Sequence, residues 1–134
     1  MRPTHLPRLL ACLSAGASLA CGCSNGTGPG ITTPPTGDVR IVANASLMTT
    51  TAFAPNPFSE SFATRATVKW VNLDHGTDPY GAGVTHHLVS DTGLFDSGAM
   101  APDASYSFTF AGPGTFAYHC SIHPGMVGSI TIAP

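Results

Sequence analysis

The chain is short of charge, of cysteine and of long apolar runs, and each shortage excludes something. Asp, Glu, Lys and Arg make up 9% of the 134 residues, against about a quarter in an average globular chain. Beyond residue 37 only Arg40, Arg65 and Lys69 are basic, facing seven acidic residues, for a net charge of about −4. A chain so poor in cations cannot neutralise phosphates, which argues against nucleic acid as a partner. Of the four cysteines, Cys12, Cys21 and Cys23 lie near the N-terminus, and Cys120 stands alone in the rest of the chain. A lone cysteine cannot form an internal disulfide, so Cys120 is an idle thiol, an intermolecular partner, a nucleophile or a metal ligand. No stretch carries a helical stripe of about ten residues or more, and no internal repeat is visible.

The N-terminus has its own character. Arg2 and Arg8 accompany an apolar run from Leu9 to Ala20, too short to span a membrane and of the kind that directs export. Residues 1–20 therefore read as an export leader. Ser18-Leu19-Ala20-Cys21-Gly22-Cys23 resembles a bacterial lipoprotein cleavage site, so lipid attachment is expected at Cys21 or Cys23, with ordinary release as the alternative. Residues 21–37 are rich in Gly, Pro and Thr and read as a flexible tether. One domain, 38–134, remains. It is expected in the periplasm or at the cell surface, held by lipid to a bacterial membrane.

Short segments rich in Val, Thr, Phe and Ile, broken by Gly and Pro, predict strands. They fall at Val39–Asn44, Thr50–Phe53, Ala66–Asn72, His86–Asp91, Ser105–Phe110, Gly114–Cys120 and Gly128–Ile132. About seven short strands at this spacing predict an all-β sandwich. Alternation places Tyr106, Phe108 and Phe110 on one face, and sets Val68, Trp70 and Asn72 against Lys69 and Val71. Residues 74–83 form a long irregular loop, either a docking face or tolerated surface length.

The most informative stretch is Tyr118-His119-Cys120-Ser121-Ile122-His123-Pro124-Gly125-Met126. Alternation along Phe116, Tyr118 and Cys120 turns the thiol toward the core at the end of a strand. His123 follows three residues on, and Pro124-Gly125 lets the chain curl back so that Met126 approaches the same point. A thiolate, an imidazole and a thioether suit a soft transition metal, copper above all, once a second imidazole joins them. Zinc rarely selects a thioether. The second imidazole is available in Thr85-His86-His87-Leu88. His86 and His87 point to opposite faces of a strand, so at most one shares a site with Cys120, and pattern alone does not choose. His75 and His119 read as surface histidines, Met48 and Met100 as packing residues, and Trp70 as core.

From Val39 to Ile132 the chain resembles the small blue-copper proteins, or cupredoxins, among them plastocyanin, pseudoazurin and amicyanin. The resemblance rests on Phe53-Ala54-Pro55, on Val68 to Asp74, on Thr85-His86 through Phe95-Asp96-Ser97-Gly98, and on Gly114 through Met126. The ligand loop has the short, amicyanin-like spacing. The resemblance implies a Greek-key sandwich with one type 1 copper. Counting back from Ser90-Asp91-Thr92-Gly93, it implies His86 as the first ligand, so that His86, Cys120 and His123 form a trigonal set with Met126 as a distant fourth donor. Backbone amides of the loop are then expected to donate to the Cys120 sulfur and tune the potential. His87 stands where the family often has Asn or Thr, which tethers the ligand loop. It is read as solvent-facing, with the tether as the alternative.

The resemblance further implies transfer of single electrons between redox partners such as a cytochrome or an oxidase, through His123 near the surface, by a monomeric domain. The rival reading is a copper carrier or storage module without redox traffic. An enzyme is not expected. A multicopper oxidase needs a histidine where Ser121 stands and His-x-His pairs that the chain lacks, and a binuclear copper centre needs a second cysteine in the loop. A cysteine nucleophile would leave Met126 without a role.

Overall fold

The computed structural model describes residues 36–77 and 83–134. The leader 1–20, Cys21 and Cys23, most of the tether and residues 78–82 of the long loop lie outside the described residues. Among the described residues nine strands appear in chain order: β1 (Val39–Ile41), β2 (Phe53–Ala54), β3 (Phe58–Ser61), β4 (Thr67–Asn72), β5 (His86–Ser90), β6 (Asp96–Met100), β7 (Ser105–Thr109), β8 (Gly114–Cys120) and β9 (Val127–Ala133). They form two sheets, ordered β2-β1-β4-β7 and β3-β9-β8-β5-β6. Both sheets are mixed, because β1 runs parallel to β4 and β3 parallel to β9 while the other pairs are antiparallel.

The all-β sandwich expected from the sequence is present, with nine strands rather than about seven. Two strands lack a sequence signal. β3 follows Pro55 and Pro57 and is an edge strand paired only with β9. Its burial is intermediate, so no apolar alternation marks it. β6 is Asp-Ser-Gly-Ala-Met, a turn-like composition. It pairs with β5 through a bulge that sets His87 opposite Ala99 and Val89 opposite Asp96. Gly98 absorbs the extra residue at φ 62°, a left-handed conformation open to glycine at little cost.

Two expected strands are also shorter. β1 ends at Ile41, because Asn44 adopts φ 61° and opens a short 3₁₀ turn over Ala45–Leu47. The Thr50–Phe53 segment is mostly turn, closed by Ala52 N–H donating to the Thr49 carbonyl at 3.2 Å, and pairs only from Phe53.

The core lies between the sheets. Trp70 is fully buried at its centre, with its ring 5.3 Å from Phe95 and 5.7 Å from Tyr118. Phe53 stacks on Tyr118 at 4.9 Å. Each aromatic withdraws a large apolar surface from water, worth roughly 1.5–3 kcal/mol before entropy is counted. The alternation read for β8 holds: Tyr118 and Cys120 are buried, His119 half-buried and Ala117 exposed. Tyr118 faces Gly128 across the β8–β9 ladder, where a Cβ on Gly128 would stand 2.5 Å from the tyrosine ring. That close approach seats the Tyr118 ring against β9, two residues before Cys120 at the end of β8. Gly128→Ala is therefore expected to cost about 1–3 kcal/mol by overpacking, read as a lower denaturant midpoint at unchanged m-value.

Candidate metal centre

Cys120 is the last residue of β8, where the ladder ends and the chain must turn. Its own N–H donates to the Met126 carbonyl at 3.0 Å, and Met126 N–H donates to the His123 carbonyl at 2.9 Å. These two bonds close the loop 121–126 against the strand end and bring His123 back toward Cys120. Met126, just before the return strand β9, is fully buried.

The opposing wall is β5. Its residues alternate in burial, with His86, Leu88 and Ser90 inward and His87 and Val89 partly exposed. Leu88 pairs with Cys120 across the β5–β8 ladder. His86 is fully buried and its Nδ1 lies 3.7 Å from Cys120 Sγ; His123 Nδ1 also lies 3.7 Å from that sulfur. The donor atoms of His86, Cys120 and His123 all fall within 4.8 Å of one another, a group able to hold a metal ion. Sequence pattern left His86 and His87 open, and the strand turns His86 to the sulfur.

His87 does not simply face water. Its ring lies between Ser121 Oγ, 2.9 Å from Nδ1, and the Asp96 carboxylate on β6 at Nε2. Its carbonyl accepts from Ser121 N–H at 2.8 Å, and its own N–H points at Cys120 Sγ at 3.5 Å. The solvent-facing reading of His87 thus gives way to the tether, because two polar partners stand on the same outer face within reach of the ring. His119, read as a surface histidine, is partly exposed and pairs with Asp91 at 2.6 Å.

One residue that shapes the site was read in the sequence only as the end of the Val68 to Asp74 resemblance and given no role. Asp74 is fully buried. It accepts the Asn44 amide at 2.8 Å, the Ala45 amide at 3.1 Å, the Gly76 amide at 3.1 Å and His86 Nε2–H at 3.0 Å. A carboxylate can only accept, so the proton of neutral His86 sits on Nε2 and Nδ1 keeps its lone pair free toward the sulfur. The available signal was a carboxylate directly after the apolar strand β4 in a chain with few charges.

The electrostatics favour a thiolate. Burial alone would push the Cys120 thiol up. Hydrogen bonding from His86 in its charged form, from the His87 and His123 amides and from the His123 ring outweighs it and brings the pKa down to about 6. Burial likewise works against a charged His86, but the Cys120 sulfur and Asp74 raise its pKa above the ordinary imidazole value. For Asp74, burial is outweighed by the Asn44 amide, His86 and the Gly76 amide, which hold its carboxyl below the usual value.

Two outcomes are expected in the copper-free protein. Thiolate absorption in the ultraviolet should titrate with a midpoint near pH 6 and vanish in Cys120→Ser. Asp74→Ala strands a buried imidazole and three amides, and should cost about 3–5 kcal/mol in denaturant unfolding. Because the folded carboxyl is the stronger acid, its contribution is full above the ordinary aspartate value of 3.8 and is lost as pH falls through the lower folded value. The gap between the native protein and Asp74→Ala should therefore narrow on acidification below that point.

No protein-family model matches the chain. Plastocyanin of Prochlorothrix hollandica is 35% identical over 94 residues, covering 63% of this chain and 69% of that protein. Chloroplast plastocyanin of Hordeum vulgare is 30% identical over 108 residues, covering 71% of this chain; the match spans only 61% of that protein's length. The purple cupredoxin of Nitrosopumilus maritimus superposes with a TM-score of 0.59 at 24% identity, over 73% of this chain and all of that one. That likeness establishes the fold, and the plastocyanin identities extend it to descent. The chain belongs to the cupredoxins, the small blue-copper proteins related to plastocyanin.

Proposed function

We propose that this protein carries single electrons at one copper ion held by His86, Cys120, His123 and Met126, outside the cytoplasm. The observation that carries the reading is the convergence of two imidazole Nδ1 atoms on one buried sulfur, each at 3.7 Å. Two imidazoles and a thiolate, with a buried thioether at the loop's end, form a soft donor set that suits copper and serves calcium or magnesium poorly. When bound, copper supplies the one-electron couple.

The chain's own residues supply the rest. Asp74 holds the His86 tautomer that offers Nδ1. The β8 and β5 ladders hold Cys120 and His86 in one sheet, so the donors need move little between oxidation states. Burial of Cys120 and Met126 keeps water and oxidants off the sulfurs. His123 is the half-buried member of the group, beside the exposed Ile122. That supports electron entry over this edge from a redox protein such as a cytochrome or an oxidase. Membrane attachment through a lipidated Cys21 or Cys23 would keep the monomeric domain near such a partner. A storage module would need the same ligands but no rigid scaffold, and the rigid sheet favours redox traffic.

Protein loaded with Cu(II) should absorb intensely in the visible and bleach reversibly on one-electron reduction. Cys120→Ser should abolish the band while leaving the fold intact by circular dichroism. A colourless Cu(II) protein, or one that releases the metal on reduction, would overturn the assignment.

A further inference from the structure

We propose that Asp96 is a positioning residue of this centre, acting through His87 on the Cys120 sulfur. The inference rests on the reading of the centre as a copper site and adds to it a residue on β6, the strand paired with β5. Asp96 is not itself one of the donors, and by itself an exposed histidine–carboxylate pair adds little to stability.

The geometry points to more than a surface pair. His87 meets residues 120 and 121 through three separate groups: its N–H faces Sγ at 3.5 Å, its carbonyl accepts Ser121 N–H at 2.8 Å, and its ring meets Ser121 Oγ at 2.9 Å. The ring's hold on Ser121 adds to the β5–β8 ladder in registering the His87 N–H on the sulfur. Asp96 sets that hold. The carboxylate accepts from Nε2–H, which leaves Nδ1 of the neutral ring as the acceptor for the Ser121 hydroxyl. Asp96 is itself aimed. Its Oδ1 also accepts Gly98 N–H at 2.8 Å, and Gly98 is the left-handed residue of the β6 bulge. The same bulge sends Ser97 Oγ to the Leu88 amide at 2.8 Å, next along β5. Without the extra residue at the bulge, the alternation of β6 would place Asp96 differently against β5. So a chain of contacts runs from Gly98 through Asp96, His87 and Ser121 to the N–H that faces the sulfur.

Two effects of losing Asp96 have opposite signs, and this makes the test decisive. A weaker N–H···S contact leaves more charge on the thiolate to stabilise the oxidised metal, which lowers the reduction potential. Loss of the carboxylate's negative charge alone raises it. Asp96→Asn removes the charge yet leaves a carbonyl to accept Nε2–H, whereas Asp96→Ala removes both. The proposal expects the potential of Asp96→Ala to lie below that of Asp96→Asn, with a matching shift of the visible band. It expects Asp96→Ala to change the band little once His87→Ala is already present. Equal potentials for the two variants, or an undiminished band shift in the His87→Ala background, would overturn it.

The copper-free protein provides a readout that does not need the metal. There the ¹⁵N spectrum should show His87 protonated at Nε2, and Asp96→Ala should move both the ring signals and the His87 amide proton. An unmoved His87 amide would sink the positioning role whatever the copper protein looks like. A moved amide in a protein whose copper form is colourless would support the positioning role and refute the electron-carrier reading.

Discussion

The site depends on a carboxylate that has no business in a core unless its charge is fully answered. Asp74 is completely buried, and removing a carboxylate from water costs several kcal/mol. Four donors meet it: three amides and His86 Nε2–H. The amides come from the 3₁₀ turn and from the start of the long loop, so one side chain joins the end of β4, the segment after β1 and the first strand residue of β5. His86 is the member of this set that matters chemically. Its second nitrogen is fixed as a lone pair toward Cys120, and the lone pair is what a metal needs. A structural requirement, that the carboxylate be satisfied, and a chemical one, that one tautomer be present, are met by a single contact.

The opposite half of the site is built from backbone. Cys120 ends β8, and the loop after it is closed by bonds from Cys120 N–H to Met126 and from Met126 N–H to His123. The loop thus needs no apolar core of its own, which is why Ile122 can remain exposed. On the outer face of the sheet His87 and Ser121 lock the two halves together. The thiolate sits between them, with its acidity raised by the imidazoles and amides that surround it in spite of burial.

The legible parts of the sequence were those with a local period or a distinctive spacing. The alternation of Tyr106, Phe108 and Phe110, and of Tyr118 and Cys120, survives in the burial of β7 and β8. Cys120, His123 and Met126 stood out because their spacing fits one loop. The unread parts depend on partners distant in the chain. β6 looked like a turn because Asp-Ser-Gly is turn chemistry, and it is a strand only because β5 offers a ladder and Gly98 can absorb a bulge. β3 is held by β9, more than sixty residues later in the numbering, where Phe58 pairs with Ile130. His87 looked solvent-facing because nothing near it in sequence bonds it; Asp96 and Ser121 reach it across two strand pairings.

By itself the sequence determined the class of fold, the soft character of the donor set and the inward turn of Cys120, because alternation and ligand spacing are properties of a few consecutive residues. Residue pattern left His86 and His87 open and the resemblance implied His86; the tertiary structure turns His86 to the sulfur, since both lie on the same strand and the choice belongs to whichever face the opposing sheet covers. It also decided that Asp74 would serve His86 and that Asp96 would serve His87. A carboxylate's role is set by the donors that surround it, and here those donors come from other loops and other strands.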